Sequence, residues 1–198
     1  MLVRRPLRWA ITAVSVILAV SSVGFLAYPL ATDVLQHRLQ RRLAADLRRP
    51  GAADSYRSRG VAEGVGLTRL RIPGIGVDVI VVEGTGSRAL RAGAGHYPTT
   101  PLPGEEGNVA IAGHRTTYGK PFANLDRLRA GAAITLETPV GRFAYRVSRD
   151  PFVVANTDRS VIGPATGRIL TLTTCHPKGS ARRRLVVRAE LVPAPGRA

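Results

Sequence analysis

Three short segments contain residue types that together could perform nucleophilic catalysis. The segment 110–126 ends a predicted strand on His114, and the segment 170–177 ends another on Cys175, the only cysteine of the chain. Arg184 opens a third predicted strand. The nucleophile of a cysteine enzyme is the thiolate, and because a free thiol titrates at about 8.5, its activation needs a neighbouring positive charge. An imidazole and a guanidinium can supply that charge, so these three residues are candidates for one reactive site.

The same residues allow other interpretations. A lone cysteine at a strand end is often a small buried apolar residue, and His114 could be a hydrogen-bonded loop histidine. A metal site built from His96, His114, Cys175 and His176 is a further alternative. Adjacent residues of a strand point to opposite faces, which argues against Cys175 and His176 binding one ion. A single cysteine excludes an intramolecular disulfide and a cysteine-based zinc knuckle.

The elements that must position these residues are mainly short strands. From Leu67 onward, apolar residues recur mostly at every second position, and turn residues separate the runs. The predicted strands cover 67–72, 77–82, 108–112, 133–137, 142–148, 169–174 and 184–191, with one helical piece at 121–128. Residues 84–108 are rich in glycine and proline, which is typical of a functional loop. Many short strands with little helix predict an antiparallel sandwich or barrel.

Strand alternation predicts which side chains share the reactive face. The inward residues are Leu170 and Leu172 on one strand and Leu185, Val187, Ala189 and Leu191 on the other. The outward residues are Thr171, Thr173 and Cys175, and Arg184, Val186, Arg188 and Glu190. Arg184 and Cys175 are therefore predicted to lie on the same side. Arg183 should turn away, and Arg182 is expected in the preceding turn.

The N-terminal part of the chain has the pattern of a membrane anchor. Residues 9–32 contain no charged side chain, and a helix needs about 20 apolar residues to cross a bilayer. Three arginines precede this stretch, namely Arg4, Arg5 and Arg8. Because positive flanks stay inside, we expect a cytoplasmic tail at 1–8, a transmembrane anchor at 9–30 and the rest of the chain outside the cell. A cleaved signal peptide is the alternative, although its apolar region would be shorter.

A basic helix and a linker are predicted between the anchor and the globular domain. From residue 31 to residue 49, apolar residues recur about every four positions among arginines, and Pro50-Gly51 ends the pattern. Residues 51–64 have the composition of a linker. Residues 31–64 are thus expected to connect the anchor to an extracellular domain at 65–198, either as a solvated stalk or in contact with lipid.

The net charge of +16 suggests a polyanionic partner. The distribution of this charge along the chain indicates which kinds of polyanion are expected. The excess of arginine is spread along the chain, without a helix-turn-helix signature or an aromatic-rich basic stretch. Aromatic residues make up only 5% of the chain, so nucleic acid is not an expected partner. Anionic wall polymers, lipid head groups and a solvated surface with no specific partner are the interpretations left.

Taken in order, the three segments resemble the sortases, the membrane-anchored cysteine transpeptidases of Gram-positive bacteria. The resemblance rests on Ala-Gly-His-Arg at 112–115, Thr-Leu-Thr-Thr-Cys at 171–175 and Arg-Leu-Val-Val at 184–187, behind an N-terminal anchor. Gly-His-Tyr-Pro at 95–98 and Thr-Thr-Cys-His-Pro at 173–177 are most similar to class E, the housekeeping branch. Ala94 departs from the family pattern, which most often has proline there.

This resemblance implies a closed eight-stranded β-barrel with short helices, in which Cys175, His114 and Arg184 are catalytic. The substrate would be a secreted protein with a C-terminal sorting signal, Leu-Pro-X-Thr-Gly or Leu-Ala-X-Thr-Gly. The Thr-Gly bond would be cleaved through a thioester, and the protein would be transferred to an amine of a lipid-linked cell-wall precursor.

The resemblance also suggests residues around the catalytic three. Tyr97 and Tyr118 would line the signal-binding groove, and Thr174 would support the oxyanion site. No metal, other cofactor or calcium dependence is expected. Two other functions fit the same sequence: an extracellular cysteine hydrolase, and a non-catalytic envelope-binding protein that would not need Cys175.

Overall fold

The computed structural model describes residues 4–193, and in this range it contains three α-helices and nine β-strands. The helices are α1 (Arg4–Asp46), α2 (Ala52–Arg57) and α3 (Ser87–Ala92). The strands are β1 (Gly66–Ile72), β2 (Val77–Glu83), β3 (Ala94–His96), β4 (Gly107–Ala112), β5 (Ala133–Thr138), β6 (Gly141–Val147), β7 (Phe152–Ala155), β8 (Arg168–His176) and β9 (Arg183–Leu191). One-turn 3-10 helices lie at Pro73–Ile75, Leu125–Arg127 and Ser160–Ile162. The chain beyond α2 is therefore mainly β, as predicted.

Eight of the strands form a closed barrel. Their order is β6-β5-β1-β2-β3-β4-β8-β9, and pairing of β6 with β9 closes the ring. The ninth strand, β7, pairs with β9 only. The closed eight-stranded β-barrel implied by the sequence is thus confirmed.

Two strand pairs are parallel, which corrects the antiparallel arrangement expected from the spacing of the strands. β2 pairs with β3, and β4 pairs with β8, in parallel. Parallel neighbours need a crossover connection, and α3 lies in the crossover between β2 and β3. Residues 84–108, expected to be a loop, therefore contain α3 and β3. The helical piece predicted at 121–128 is only one 3-10 turn.

β8 and β9 supply the barrel core with alternate side chains. The core includes Leu170 and Leu172 of β8 and Leu185, Val187 and Ala189 of β9, as predicted. Thr171 and Val186 on the opposite face are buried as well. The Thr171 hydroxyl donates to Asn108 Oδ1 at 2.7 Å, and Val186 pairs with Phe152 of β7. The Asn108 side chain therefore covers Thr171 on the outer face, and β7 continues the sheet beside Val186 at the edge of β9.

The C-terminal half of α1 packs against the barrel. Gln40 Nε2 donates to Ile80 O at 3.1 Å and to Ala92 O at 2.8 Å, and Ile80 N donates to Gln40 Oε1 at 2.6 Å. Gly66 N donates to Asp46 Oδ2 at 3.1 Å. This part of α1 is thus docked on the domain and is neither a free stalk nor a helix available to lipid on all sides.

The segment expected to be a linker, 51–64, also packs against the barrel. It contains α2, and Tyr56 of α2 is buried against Leu67 and Leu102. The Tyr56 hydroxyl donates to Pro103 O at 3.1 Å, and burial raises the pKa of this phenol. Composition alone missed this contact because one aromatic residue anchors a segment that is otherwise small and polar.

The N-terminal half of α1 is long and apolar enough to cross a membrane. Its large apolar side chains are exposed, and Phe25 retains 81% of its accessible surface. A continuous exposed apolar surface of this length is what a lipid-embedded helix requires.

We expect Asn108→Ala to lower the free energy of unfolding by about 2–3 kcal/mol. Asn108 is 1% exposed, and its Nδ2 donates to Val161 O at 3.0 Å and to Gly163 O at 2.9 Å. Truncation leaves both carbonyls and the Thr171 hydroxyl without this partner. Chemical denaturation of the full chain in detergent measures the change. Asn156→Ala, in an exposed turn, is the control and should change it by less than about 0.5 kcal/mol. Equal small changes in both variants would contradict the expected role of Asn108.

Candidate active site

Cys175 and Arg184 face each other at the end of the β8–β9 hairpin. They are direct partners in the antiparallel register, and Arg184 Nη1 donates to Cys175 Sγ at 3.5 Å. The same nitrogen donates to Ala181 O at 3.2 Å and to Arg183 O at 3.3 Å. These backbone contacts fix the guanidinium beside the half-buried thiol. The structure thus brings together the two residues that strand alternation placed on one side.

The neighbouring arginines do not share this position. Arg183 pairs with His176 in the same register and is exposed, and Arg182 precedes the strand in a bend. Adjacent residues of a strand alternate between its faces, so Arg183 is directed away from Cys175. Among the three consecutive arginines, the contact with the thiol belongs to Arg184.

His114 reaches the same end of the barrel through the parallel pairing of β4 with β8. The last pair of that register is Ala112 with Thr173, and Gly113 N donates to Thr173 O at 3.1 Å. His114 and Cys175 each follow this pair by two residues, and parallel neighbours advance together. The backbone of His114 is therefore level with that of Cys175.

Thr174 holds the chain next to His114. It is 3% exposed, and its hydroxyl donates to Gly113 O at 2.8 Å. The sequence suggested that Thr174 supports the oxyanion site, but its single hydroxyl proton is used within the fold. The structure therefore gives this side chain a different contact, which fastens the His114 segment to β8.

The environment of the His114 ring favours its neutral form. The ring is half-buried, and its centroid lies 5.3 Å from that of Tyr118, with the planes tilted by 38°. Burial lowers the pKa of His114, and the positive charge of Arg91 on α3 lowers it further. Both effects disfavour the imidazolium. When this ring is protonated, it is therefore a stronger acid than an exposed histidine.

Arg115 is a buried positive charge beside the backbone of Cys175, and it was not among the site residues predicted from the sequence. It is 5% exposed, its Nη1 donates to Cys175 O at 3.2 Å, and its Nη2 pairs with Asp126 at 3.1 Å. It thus ties the end of β8 to the loop after β4. The available signal was its position directly after His114 in Ala-Gly-His-Arg.

His176 is held by the same arginine. Arg115 Nη1 lies 2.9 Å from His176 Nδ1, and because a guanidinium can only donate, this nitrogen is the acceptor. The proton of the neutral ring is then on Nε2. His176 thus has a structural partner on the far side of the strand from Cys175.

His96 lies elsewhere in the fold. It is 1% exposed in β3, with Nδ1 at 2.9 Å from Glu83 Oε2 and Nε2 at 3.0 Å from both Pro101 O and Thr100 Oγ1. Both ring nitrogens are therefore used inside the domain. Within residues 4–193, no group of three or more His, Cys, Asp or Glu side chains is arranged to hold a metal ion. The metal site considered from the sequence has no counterpart in this geometry.

Two tyrosines flank the reactive residues. The Tyr97 hydroxyl lies 3.4 Å from Thr173 Oγ1, two residues before Cys175 on the same face of β8. Tyr118 contacts the ring of His114. The sequence-predicted tyrosines are thus both close to the candidate site, one beside β8 and one beside the histidine.

The arrangement is suited to acyl transfer through a thiol. It combines a half-buried thiol, a guanidinium that stays charged at all physiological pH values, and an imidazole that can give and take a proton. The guanidinium can stabilise a thiolate and a developing oxyanion.

Comparison with known proteins gives one family. The Sortase domain model matches residues 70–192. Sortase SrtE1 of Streptomyces coelicolor is 33% identical over 177 residues, covering 81% of this chain and 50% of that protein. Sortase SrtE2 of the same organism is 31% identical over 217 aligned positions, which cover 96% of this chain and 86% of that protein. The solved structure of a Clostridium perfringens sortase D5 transpeptidase superposes with a TM-score of 0.70 at 26% identity, covering 81% of this chain and 99% of that one. The chain spans half the length of SrtE1.

We expect Arg91→Gln to raise the pKa of His114, because it removes a positive charge that opposes protonation of the ring. The imidazolium fraction at a given pH near neutrality should rise accordingly. An NMR titration of the His114 ring in the full chain, assigned with His114→Gln, measures the change.

The matched control is Arg88→Gln, which removes the same charge from the same helix. Arg88 is exposed and does not contribute to the shift at His114. An unchanged pKa in Arg91→Gln, or an equal rise in both variants, would show that Arg91 does not act on His114 specifically.

Proposed function

The chain belongs to the sortase family, and we propose that it is a membrane-anchored, class E-like cysteine transpeptidase acting on C-terminal sorting signals. One observation carries the proposal: Arg184 Nη1 lies 3.5 Å from Cys175 Sγ, at the level to which the β4–β8 register brings His114. A free, half-buried thiol with these two neighbours supports nucleophilic catalysis.

In the first half-reaction, the Cys175 thiolate attacks the carbonyl carbon of the signal threonine. Arg184 donates to the carbonyl oxygen as it becomes an oxyanion, and one preorganised donor of this kind is worth about 3 kcal/mol. His114, as imidazolium, donates its proton to the departing glycine amine while the Thr-Gly bond breaks. The products are a thioester on Cys175, a free amine and a neutral His114.

In the second half-reaction, an acceptor amine attacks the thioester carbonyl. His114 accepts a proton from the amine, the carbon–sulfur bond breaks, and Cys175 leaves as thiolate. The thiolate and imidazolium are thus regenerated, and the thioester preserves the free energy of the cleaved peptide bond for the new one. If water replaces the amine, the same steps give hydrolysis.

The lowered pKa of His114 has two consequences for this cycle. It makes the imidazolium a better proton donor to the leaving amine. It also favours the neutral ring, which is the form that accepts a proton from the incoming amine in the second half-reaction.

The substrate we propose is a secreted protein with a Leu-Pro-X-Thr-Gly or Leu-Ala-X-Thr-Gly signal. Tyr97 lies beside Thr173 of β8 and Tyr118 lies against His114, so both can contact an extended peptide bound at Cys175. The acceptor would be an amine of a lipid-linked cell-wall precursor. No role for nucleic acid or for a cofactor enters these steps.

We propose that residues 9–30 cross the cell membrane with residues 1–8 in the cytoplasm. The composition and exposed apolar surface of this part of α1 support the anchor, and its arginine flank supports the orientation. The catalytic domain, proposed at 65–198, is then extracellular. Since α1 continues from the anchor onto the barrel, the domain would lie close to the external surface of the cell membrane.

Cys175→Ala should abolish peptide cleavage while the domain stays folded, because the chain has no second thiol. Incubation of the full chain in detergent with both signal peptides, followed by intact-mass spectrometry, should reveal the acyl adduct in wild type and none in the variant. Adding a glycine-like amine should convert the adduct into the transpeptidation product. Hydrolysis alone in the presence of amine would favour the hydrolase alternative, and cleavage by Cys175→Ala would exclude the mechanism.

Arg184→Lys should lower kcat about 100-fold, because an ammonium cannot reproduce the planar guanidinium held by Ala181 O and Arg183 O. Arg183→Lys and Arg182→Lys remove equivalent groups from exposed neighbouring positions and should stay near wild type. Steady-state kinetics of peptide cleavage distinguish the three variants. A fully active, folded Arg184→Lys would contradict the oxyanion role.

A further inference from the structure

One face of α1 packs against the barrel over several turns before the helix ends. Thr32, Gln36 and Gln40 follow one another at intervals of four residues and therefore share a face. Thr32 and Gln36 are 7% and 8% exposed, and Gln40 bonds to β2 and to the end of α3. The helix that contains the proposed anchor thus continues without a break into a docked position.

The docked part of α1 contacts the loop that follows His114. Gly119 N donates to Asp33 Oδ1 at 2.9 Å, and Lys120 Nζ lies 3.3 Å from Asp33 Oδ2. The backbone at Gly119 lies so close to Gln36 that a Cβ there would collide with its side chain. One carboxylate therefore binds two consecutive loop residues, and the next helical turn packs against the same point.

The contacted loop has a strained backbone conformation at two residues. Tyr118 and Lys120 have φ values of 51° and 39°, and residues other than glycine adopt this left-handed region at a cost of order 1 kcal/mol each. The hydrogen bond that Asp33 accepts from Gly119 and its ion pair with Lys120 fasten this part of the loop to α1.

The same loop sets the surroundings of the His114 ring. Tyr118 stands against the ring at a centroid distance of 5.3 Å, and its hydroxyl is 3.1 Å from the Tyr28 hydroxyl of α1. Tyr118 is thus held between the helix and the histidine. Movement of Gly119 and Lys120 away from α1 would move Tyr118 and expose the imidazole.

We propose that Asp33 is a positioning residue for the reaction, which fastens the 115–120 loop to α1 and so keeps Tyr118 packed on His114. This inference rests on the proposed function for the role of His114. Asp33 itself does not touch the substrate or the reacting atoms. The membrane-proximal helix is then a part of the active-site architecture, and a domain that lacks it would have a less ordered histidine.

The test compares two aspartates of the same helix in the full chain, reconstituted in phospholipid nanodiscs. Asp33→Ala removes the contacts with Gly119 and Lys120. Asp46→Ala removes a similar bond from the backbone of Gly66, which does not belong to the loop. Both variants therefore lose a helix-to-barrel hydrogen bond, and only the first loses the contact with the loop.

We expect Asp33→Ala to lower kcat for peptide cleavage about tenfold with little change in KM, because the proton donor is misplaced while the peptide still binds. Asp46→Ala should keep the wild-type kcat. In an NMR titration, the pKa of His114 should rise in Asp33→Ala, since burial is the main cause of its lowering. Asp33→Asn keeps an acceptor for Gly119 N, so it should restore part of the lost rate, and it replaces Asp33→Ala if that variant does not fold.

Two results would overturn the proposal about Asp33, and a third would instead refute the proposed function of the protein. A wild-type kcat and an unshifted His114 titration in Asp33→Ala would overturn it. Equal losses in Asp33→Ala and Asp46→Ala would also overturn it, because docking would then only stabilise the domain. A wild-type protein that forms no thioester would instead refute the proposed function, and the His114 titration would still decide whether Asp33 orders the ring.

Discussion

The register of β8 with its two neighbours is the constraint on which the candidate site depends. On one side, antiparallel pairing with β9 sets Arg184 opposite Cys175. On the other side, parallel pairing with β4 keeps His114 level with the same cysteine. Since side chains alternate along a strand, a slip of one residue between β8 and β9 would turn Cys175 or Arg184 to the wrong face. A slip between β4 and β8 would displace the His114 segment along β8, away from Cys175. The closed barrel prevents such slips, because each strand is also bound to a second neighbour.

Buried polar side chains stabilise this register of β8 with its neighbours. Asn108 joins β4 to β8 and to the chain around Val161, and Thr174 binds the carbonyl next to His114. Arg115 binds the Cys175 carbonyl and reaches Asp126. Each of these side chains is at least nine-tenths buried, so a wrong register would leave polar groups without partners in the interior. The cost of such unpaired groups favours one arrangement of the reactive end.

The helix α1 belongs to this architecture and does not act only as a tether. Gln40 and Asp46 bind backbone groups of the barrel, and Asp33 binds the loop beside His114. In the proposed anchored arrangement, a helix that is continuous from an exposed apolar half to a docked half would restrict how the domain moves relative to the membrane. In the proposed function, the sorting signal and the lipid-linked acceptor both come from that membrane, so a fixed distance from it would help both to reach Cys175.

The sequence by itself determined the local features of this protein. The uncharged stretch at the N-terminus, the short strands after Leu67, and the ordered motifs around His114, Cys175 and Arg184 indicated an anchor, a β-barrel and the family. Alternation along β8 and β9 even placed Cys175 and Arg184 on one side, because that pattern depends only on the geometry of a strand. The short strands and the family are confirmed, and the anchor stays a prediction that the length and apolar composition of α1 support.

Only the tertiary structure decided the contacts between segments distant in sequence. The parallel pairs, the docking of α1, the packing of Tyr56 in the expected linker, and the effect of Arg91 on His114 join residues far apart in the chain. A hydrophobic pattern states that a side chain will be buried but not against which element. The partners of Arg115, Thr174 and Asp33 are backbone groups and loop residues, which leave no periodic signal, so their roles could be assigned only from the folded chain.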